Sequence, residues 1–199
     1  PRGMAVAADG TLAAVATDKA VLLLRRSGAA WRVASSTAAA FGAQSVALSP
    51  SKQTVAVGGD DRAVHVYTVS GDALVPGPVL ARHAGVVTKV AFSPCGTMLA
   101  SGDGSKEVLV WSTGSWDVTV DQLVYHQARI TALAWAPDSA RLATGSLDTK
   151  VIVWDLAGGV AKRTTFDRAH AGGVSGVRFL SARRVVSSGA DCSIKTWTV

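Results

Sequence analysis

The sequence contains no asparagine, only two cysteines, and aspartate in thirteen of its fourteen acidic positions, leaving Glu107 as its single glutamate. Without asparagine there is no N-glycosylation sequon. Cys95 and Cys192 each read as part of a turn in a different stretch of the chain, which excludes a disulfide framework and a paired cysteine metal site. The most apolar run, residues 20–24, is far too short to span a bilayer, and no charged-then-apolar leader opens the chain. These shortages lead to the expectation of a reducing, soluble compartment, the cytoplasm, with no membrane partner. Charge is also undramatic. The net +6 is spread as 9 basic and 5 acidic residues over positions 1–100 and 11 and 9 over the remainder, so no basic tail marks a nucleic-acid binder. Such an excess suits an acidic partner but does not define one.

What is present is a beat. Tyr67, Trp111, Trp154 and Trp197 follow one another at intervals of 44, 43 and 43 residues, and 43 residues before Tyr67 stands Leu24. A period of about 40 to 45 residues ending in Trp resembles the WD40 repeat, one four-stranded propeller blade per unit. Short β-branched runs separated by Gly and Asp support an all-β chain.

Aligned on the aromatic, every unit shows three strand-like runs: 4–7, 12–16 and 20–24; 45–48, 54–57 and 63–67; 86–92, 98–102 and 107–111; 130–135, 141–145 and 151–154; 174–179, 184–188 and 194–197. The less regular stretches 31–35, 74–80, 118–125 and 164–167 are expected to be outer strands, where an edge position tolerates Pro76 and Pro78. The blades are therefore expected at about 1–35, 36–80, 81–125, 126–168 and 169–199, the last lacking its outer strand. That is an incomplete arc of five blades, expected to be the C-terminal part of a seven-bladed ring in a longer chain.

His126, Thr144, Asp148 and Trp154, and again His170, Ser187, Asp191 and Trp197, place a histidine, a hydroxyl, a carboxylate and an indole at matching positions. A hydroxyl, His and Asp invite comparison with a nucleophilic triad. A catalytic set needs one copy, whereas this one repeats and includes an indole N–H that requires a partner when buried. It resembles the structural tetrad of WD40 blades. The set thins toward the N-terminus: His83 has a counterpart position, but Ser105 stands where the carboxylate should be, and Asp61 has no His. His65 alternates with valines and reads as surface-facing or hydrogen-bonded, not as a ligand. Glycines at 102 and 104 before Lys106 fall in a turn with no helix to follow, unlike a phosphate loop. No catalytic, cofactor or metal-ligating set is expected.

The wording of the units goes further than the generic repeat. MAVAADGTLAAVATDKAVLLL, VALSPSKQTVAVGGDDRAVHVY, ITALAWAPDSARLATGSLDTKVIVWDL and the terminal SSGADCSIKTWTV are similar to the C-terminal propeller of the actin-interacting protein 1 family. The resemblance implies two seven-bladed propellers, partners in actin filaments and cofilin, a place on the cytoskeleton, and promotion of filament disassembly without chemistry. By the usual WD40 contact ring, partner-facing positions would include Arg129, Thr88, Thr131, Ser175, Asp60 and Leu147, with Arg129 foremost because a guanidinium can grip a carboxylate bidentately. Competing readings are a WD-repeat scaffold in another assembly, such as a ubiquitin ligase or a ribosome-assembly complex, and an enzyme. Cofilin-dependent binding to filaments separates the first reading from the scaffold. An activity abolished by one side chain would mark the enzyme.

Overall fold

A computed structural model describes residues 1–157 and 162–199. The described chain folds as five antiparallel meanders. The first sheet is β1 (Gly3–Val6), β2 (Leu12–Ala16), β3 (Ala20–Ser27) and β4 (Ala30–Ala38). The second is β5 (Ala43–Leu48), β6 (Thr54–Gly59), β7 (Val64–Ser70) and β8 (Ala73–Leu80), and the third is β9 (Val87–Phe92), β10 (Met98–Asp103), β11 (Val108–Ser112) and β12 (Val118–Val120). β13 (Ile130–Trp135), β14 (Arg141–Ser146), β15 (Val151–Asp155) and β16 (Lys162–Phe166) form the fourth. The fifth has three strands, β17 (Val174–Ser181), β18 (Arg184–Gly189) and β19 (Ile194–Thr198). Among the described residues no helix is long and apolar enough to cross a membrane.

Burial explains the strand sequences. The core is divided into four seams between successive sheets, so a middle strand is covered on both faces and reads as a nearly unbroken run of small and apolar residues, as in β10 and β14. Outer strands are the exposed ones, whether polar as in β16, KRTTF, or apolar and proline-containing as in β8, ALVPGPVL. Successive sheets pack closely at one recurring glycine. A Cβ on Gly58, Gly102 or Gly145 would lie 2.7, 2.7 and 2.5 Å from the side chain of Val87, Ile130 and Val174 in the following sheet. No side chain fits there without separating the blades.

The turns keep the same beat as the aromatics. Arg62, Lys106, Thr149 and Cys192 all take positive φ, at 67, 72, 73 and 58°, between the second and third strands of their sheets. Lys106 therefore belongs to a tight turn.

One outer strand is shorter than expected. Pairing to β11 stops at Val120, not at residue 125, because the chain then turns inward: Leu123 is fully buried. Tyr125 tilts against Trp154, and the Arg163 guanidinium lies 3.4 Å from the centre of the Tyr125 ring. The apolar and aromatic contacts of 121–125 with the fourth sheet displace ladder pairing.

Candidate functional site

The fourth sheet contains a buried polar chain. Trp154 Nε1–H donates to Thr144 Oγ1 at 3.0 Å, Thr144 Oγ1 is 2.7 Å from His126 Nε2, and His126 Nδ1 is 2.9 Å from Asp148 Oδ2. Burial pushes the Asp148 carboxyl up, but donation from His126 and from the backbone N–H groups of Gln127 and Lys150 outweighs it and holds the group down at about 2. An ionised carboxylate only accepts, so Nδ1 carries a proton and donates it; in the neutral ring Nε2 then accepts from the Thr144 hydroxyl, whose other neighbouring acceptor, Ile152 O, is farther away at 3.3 Å. Donation then runs one way, from indole to hydroxyl to imidazole to carboxylate.

The fifth sheet repeats the arrangement. Trp197 Nε1–H donates to Ser187 Oγ at 2.8 Å, Ser187 Oγ is 2.7 Å from His170 Nε2, and His170 Nδ1 donates to Asp191 at 2.9 Å. The His170 hydrogen bond, the largest influence, joins Ser193 in holding the Asp191 carboxyl well below the usual range despite burial. In both sheets the hydroxyl is buried and its oxygen already accepts an indole N–H. A hydroxyl in that position presents no open face to a substrate carbonyl, whatever its likeness to a triad.

The third sheet departs from what its spacing suggests. Ser105 does not leave it without a carboxylate: Asp103, at the end of β10, brings Oδ2 to 3.4 Å from His83 Nδ1. His83 Nε2 is 2.6 Å from Ser101 Oγ, which accepts from Trp111 Nε1–H at 2.7 Å. The expectation that the full set of residue types occurs only in the last two units is thereby corrected. The acid has moved from the turn to the strand end, and counting back from the tryptophan misses it. Counting forward from the histidine finds it, since Asp103 follows His83 by 20 residues, as Asp191 follows His170 by 21 and Asp148 follows His126 by 22. In the second sheet Asp61 is also not without a His: its carboxylate is 2.8 Å from Nε2 of His65, whose ring stacks on Phe41 at 3.6 Å.

The six candidate contact residues fall into two groups. Thr88 Oγ1 faces Gly102 O at 3.0 Å and Ile130 O of the next sheet at 2.6 Å, and Thr131 Oγ1 faces Gly145 O at 3.1 Å and Val174 O at 2.6 Å. Their hydroxyl protons are committed to staples between blades. Ser45 serves the same seam one unit earlier by accepting from Val90 N–H at 3.2 Å. Sequence reasoning missed this role, although Ser45, Thr88, Thr131 and Ser175 recur at 43, 43 and 44 residues. Arg129, Leu147, Ser175 and Asp60 are exposed. Ser175 Oγ lies 2.9 Å from Ser188 Oγ, and Asp60 accepts from Gly42 N–H at 2.8 Å.

Thr88, Arg129, Thr131 and Leu147 line one concavity of about 330 Å³, together with Gln44, Lys89 and Ile130. It crosses the second, third and fourth sheets. Lys89 and Arg129 are exposed, and among the described residues neither makes a salt bridge and the concavity has no acidic lining. The arrangement suits a ligand carrying carboxylates and is far from the buried tetrads in character.

Comparison with known proteins agrees with this architecture. The model described as WD domain, G-beta repeat matches residues 75–112, 118–155 and 161–198. Each match ends one residue beyond Trp111, Trp154 or Trp197. A 66 kDa stress protein of Physarum polycephalum is 39% identical over the whole chain, and actin-interacting protein 1 of Drosophila melanogaster is 33% identical over the whole chain. Actin-interacting protein 1-2 of Arabidopsis thaliana is 35% identical over 84% of it. The chain spans about a third of the length of these relatives, 32, 32 and 27% respectively. Among solved structures, a chain of a mitotic checkpoint complex superposes with a TM-score of 0.82 at 20% identity, covering 98% of this chain and 61% of that one, which speaks for the fold alone.

Proposed function

Because this chain belongs to the WD40-repeat family and is similar along its whole length to actin-interacting protein 1, we propose that it binds actin filaments and acts with cofilin to promote their disassembly. The whole-chain similarity to relatives named for actin carries the reading. In it the five sheets are an arc of a seven-bladed ring, and the protein works in the cytoplasm on the cytoskeleton, without covalent chemistry.

The concavity across the second to fourth sheets is the proposed contact. Arg129 and Lys89 meet carboxylates of an acidic partner, and Leu147 supplies apolar area between them. Ser175 and Asp60 extend the polar rim on neighbouring blades, while Thr88 and Thr131 hold the floor. Disassembly follows from differential binding: a protein that prefers the cofilin-decorated or severed state over the intact filament shifts the population toward it without making or breaking a bond.

Co-sedimentation of the full-length protein with actin filaments, with and without cofilin, tests this. The expected result is pelleting and filament loss that both depend on cofilin. Combined Lys89→Glu and Arg129→Glu substitutions should weaken pelleting at least about tenfold, the worth of one charge-assisted contact, with unfolding unchanged. No cofilin-dependent pelleting by the unmodified protein would sink the proposal.

A further inference from the structure

We propose that His83, Asp103 and Glu107 form a binding site for one divalent transition-metal ion of the zinc class. The site is independent of the actin reading. It begins with the departure in the third sheet. Where His126 and His170 each hold a carboxylate at 2.9 Å, His83 Nδ1 has two at longer range, Asp103 Oδ2 at 3.4 Å and Glu107 Oε2 at 3.6 Å. Charge-assisted N–H to carboxylate bonds are shorter, at about 2.7 to 2.9 Å. His83 Nδ1 is buried with no hydrogen-bond partner, which costs free energy unless something occupies the space it faces.

The two separations suit an ion between the three atoms. With metal–nitrogen and metal–oxygen distances of about 2.0 to 2.1 Å, the edge of a tetrahedron of ligands is roughly 3.4 Å. The three donor atoms lie within 4.8 Å of one another. One neutral imidazole and two carboxylates also balance a divalent charge, and a nitrogen ligand at a crowded, partly buried position selects zinc-like ions over magnesium and calcium.

The surroundings already hold the ligands in place. Asp103 Oδ1 accepts from Glu107 N–H at 2.8 Å and Oδ2 from Gly85 N–H at 3.0 Å, so backbone donors fix the Asp103 carboxylate and tie it to the backbone of Glu107. On the far side of the imidazole, Ser101 Oγ at 2.6 Å can accept the Nε2 proton, leaving the Nδ1 lone pair for the metal, and Trp111 fixes that hydroxyl. Asp103 is fully buried, whereas the Glu107 side chain is 27% exposed. Glu107 is thus the entry side, where water completes the coordination. The corresponding turns of the fourth and fifth sheets carry Lys150 and Ser193 between carboxylate and strand, and their histidines are already satisfied.

The test uses the full-length protein with Cys95→Ser and Cys192→Ser, which removes both thiols of residues 1–199, stripped with chelator and titrated with zinc chloride by calorimetry, each variant being compared with this parent. One ion per chain is expected, binding at least about tenfold more weakly after Glu107→Gln, a loss of one ligand at the rim. Asp117→Asn, an exposed acid elsewhere, should leave binding unchanged. Nitrogen NMR of the histidine rings supplies a readout free of substitutions: zinc should move His83 and leave His126 and His170 in place. Absence of saturable zinc binding, equal affinity in the Glu107→Gln protein, or an unmoved His83 ring that instead takes up a second proton between its two carboxylates would overturn the proposal.

Discussion

Replacing Thr144 by valine isolates the worth of the buried hydroxyl in the fourth sheet. The two side chains have nearly the same shape, so the substitution opens no cavity. It does remove both the acceptor for Trp154 Nε1–H at 3.0 Å and the partner of His126 Nε2 at 2.7 Å. Neither group can turn elsewhere, since Trp154 is 1% exposed and His126 is 2% exposed. Leaving a buried polar group unpaired costs about 1 to 3 kcal/mol, so two together predict about 2 to 6 kcal/mol. Thr144→Ser is the internal control. It keeps the hydroxyl, as Ser101 and Ser187 do at the same place in their sheets, and loses only a buried methyl worth about 1 kcal/mol. Urea unfolding gives the total, and hydrogen exchange of the Trp154 indole proton locates it: exchange should accelerate in the valine variant and stay protected in the serine variant. If Thr144→Val lies within about 1 kcal/mol of Thr144→Ser, the account of the tetrad as a connected chain of donors is wrong.

Two further outcomes follow from the same geometry. Thr149 is β-branched and sits at φ 73°, so Thr149→Gly should relieve backbone strain and, net of glycine's greater freedom when unfolded, stabilise by about 0.5 to 1 kcal/mol; a fall in the urea midpoint would contradict this. Asp148 is depressed in the folded state to about 2 from an ordinary 3.8, so its contribution is complete above the unfolded value and is lost as pH falls through the folded one. Melting temperatures should therefore drop between about pH 4 and pH 2, with Asp148 supplying about 1 to 2 kcal/mol of the loss after allowance for its partial hydration. Asp148→Asn should be less stable at neutral pH and show a shallower acid slope, and an unchanged slope would remove Asp148 from the explanation.

The repeat was legible because each aromatic does the same job in the same place: Trp111 and Trp154 each close a seam and donate to a hydroxyl, and this fixes their distance along the chain. Inner strands were readable for a related reason, since burial on both faces leaves little choice of residue. The outer strand ending at Val120 was not, because its length depends on Tyr125 finding Trp154 and Arg163, contacts with no local signature. Asp103 escaped because a carboxylate can reach the histidine from the turn or from the strand end, and only the fold tells which. Thr88 and Thr131 were read as available because a threonine at the start of an inner strand looks the same whether its proton faces water or a neighbouring carbonyl.

Those two threonines also set a limit on how the protein's surface can change. The bonds that seal the third blade to the fourth, and the fourth to the fifth, run from side chains that line the concavity, so its floor and the joints of the arc are one piece. A substitution that alters the floor opens a joint, whereas Lys89, Arg129 and Leu147 are exposed and can be replaced at little structural cost. Binding preference can therefore be retuned on the rim without loosening the arc, whereas a change to the floor alters both at once.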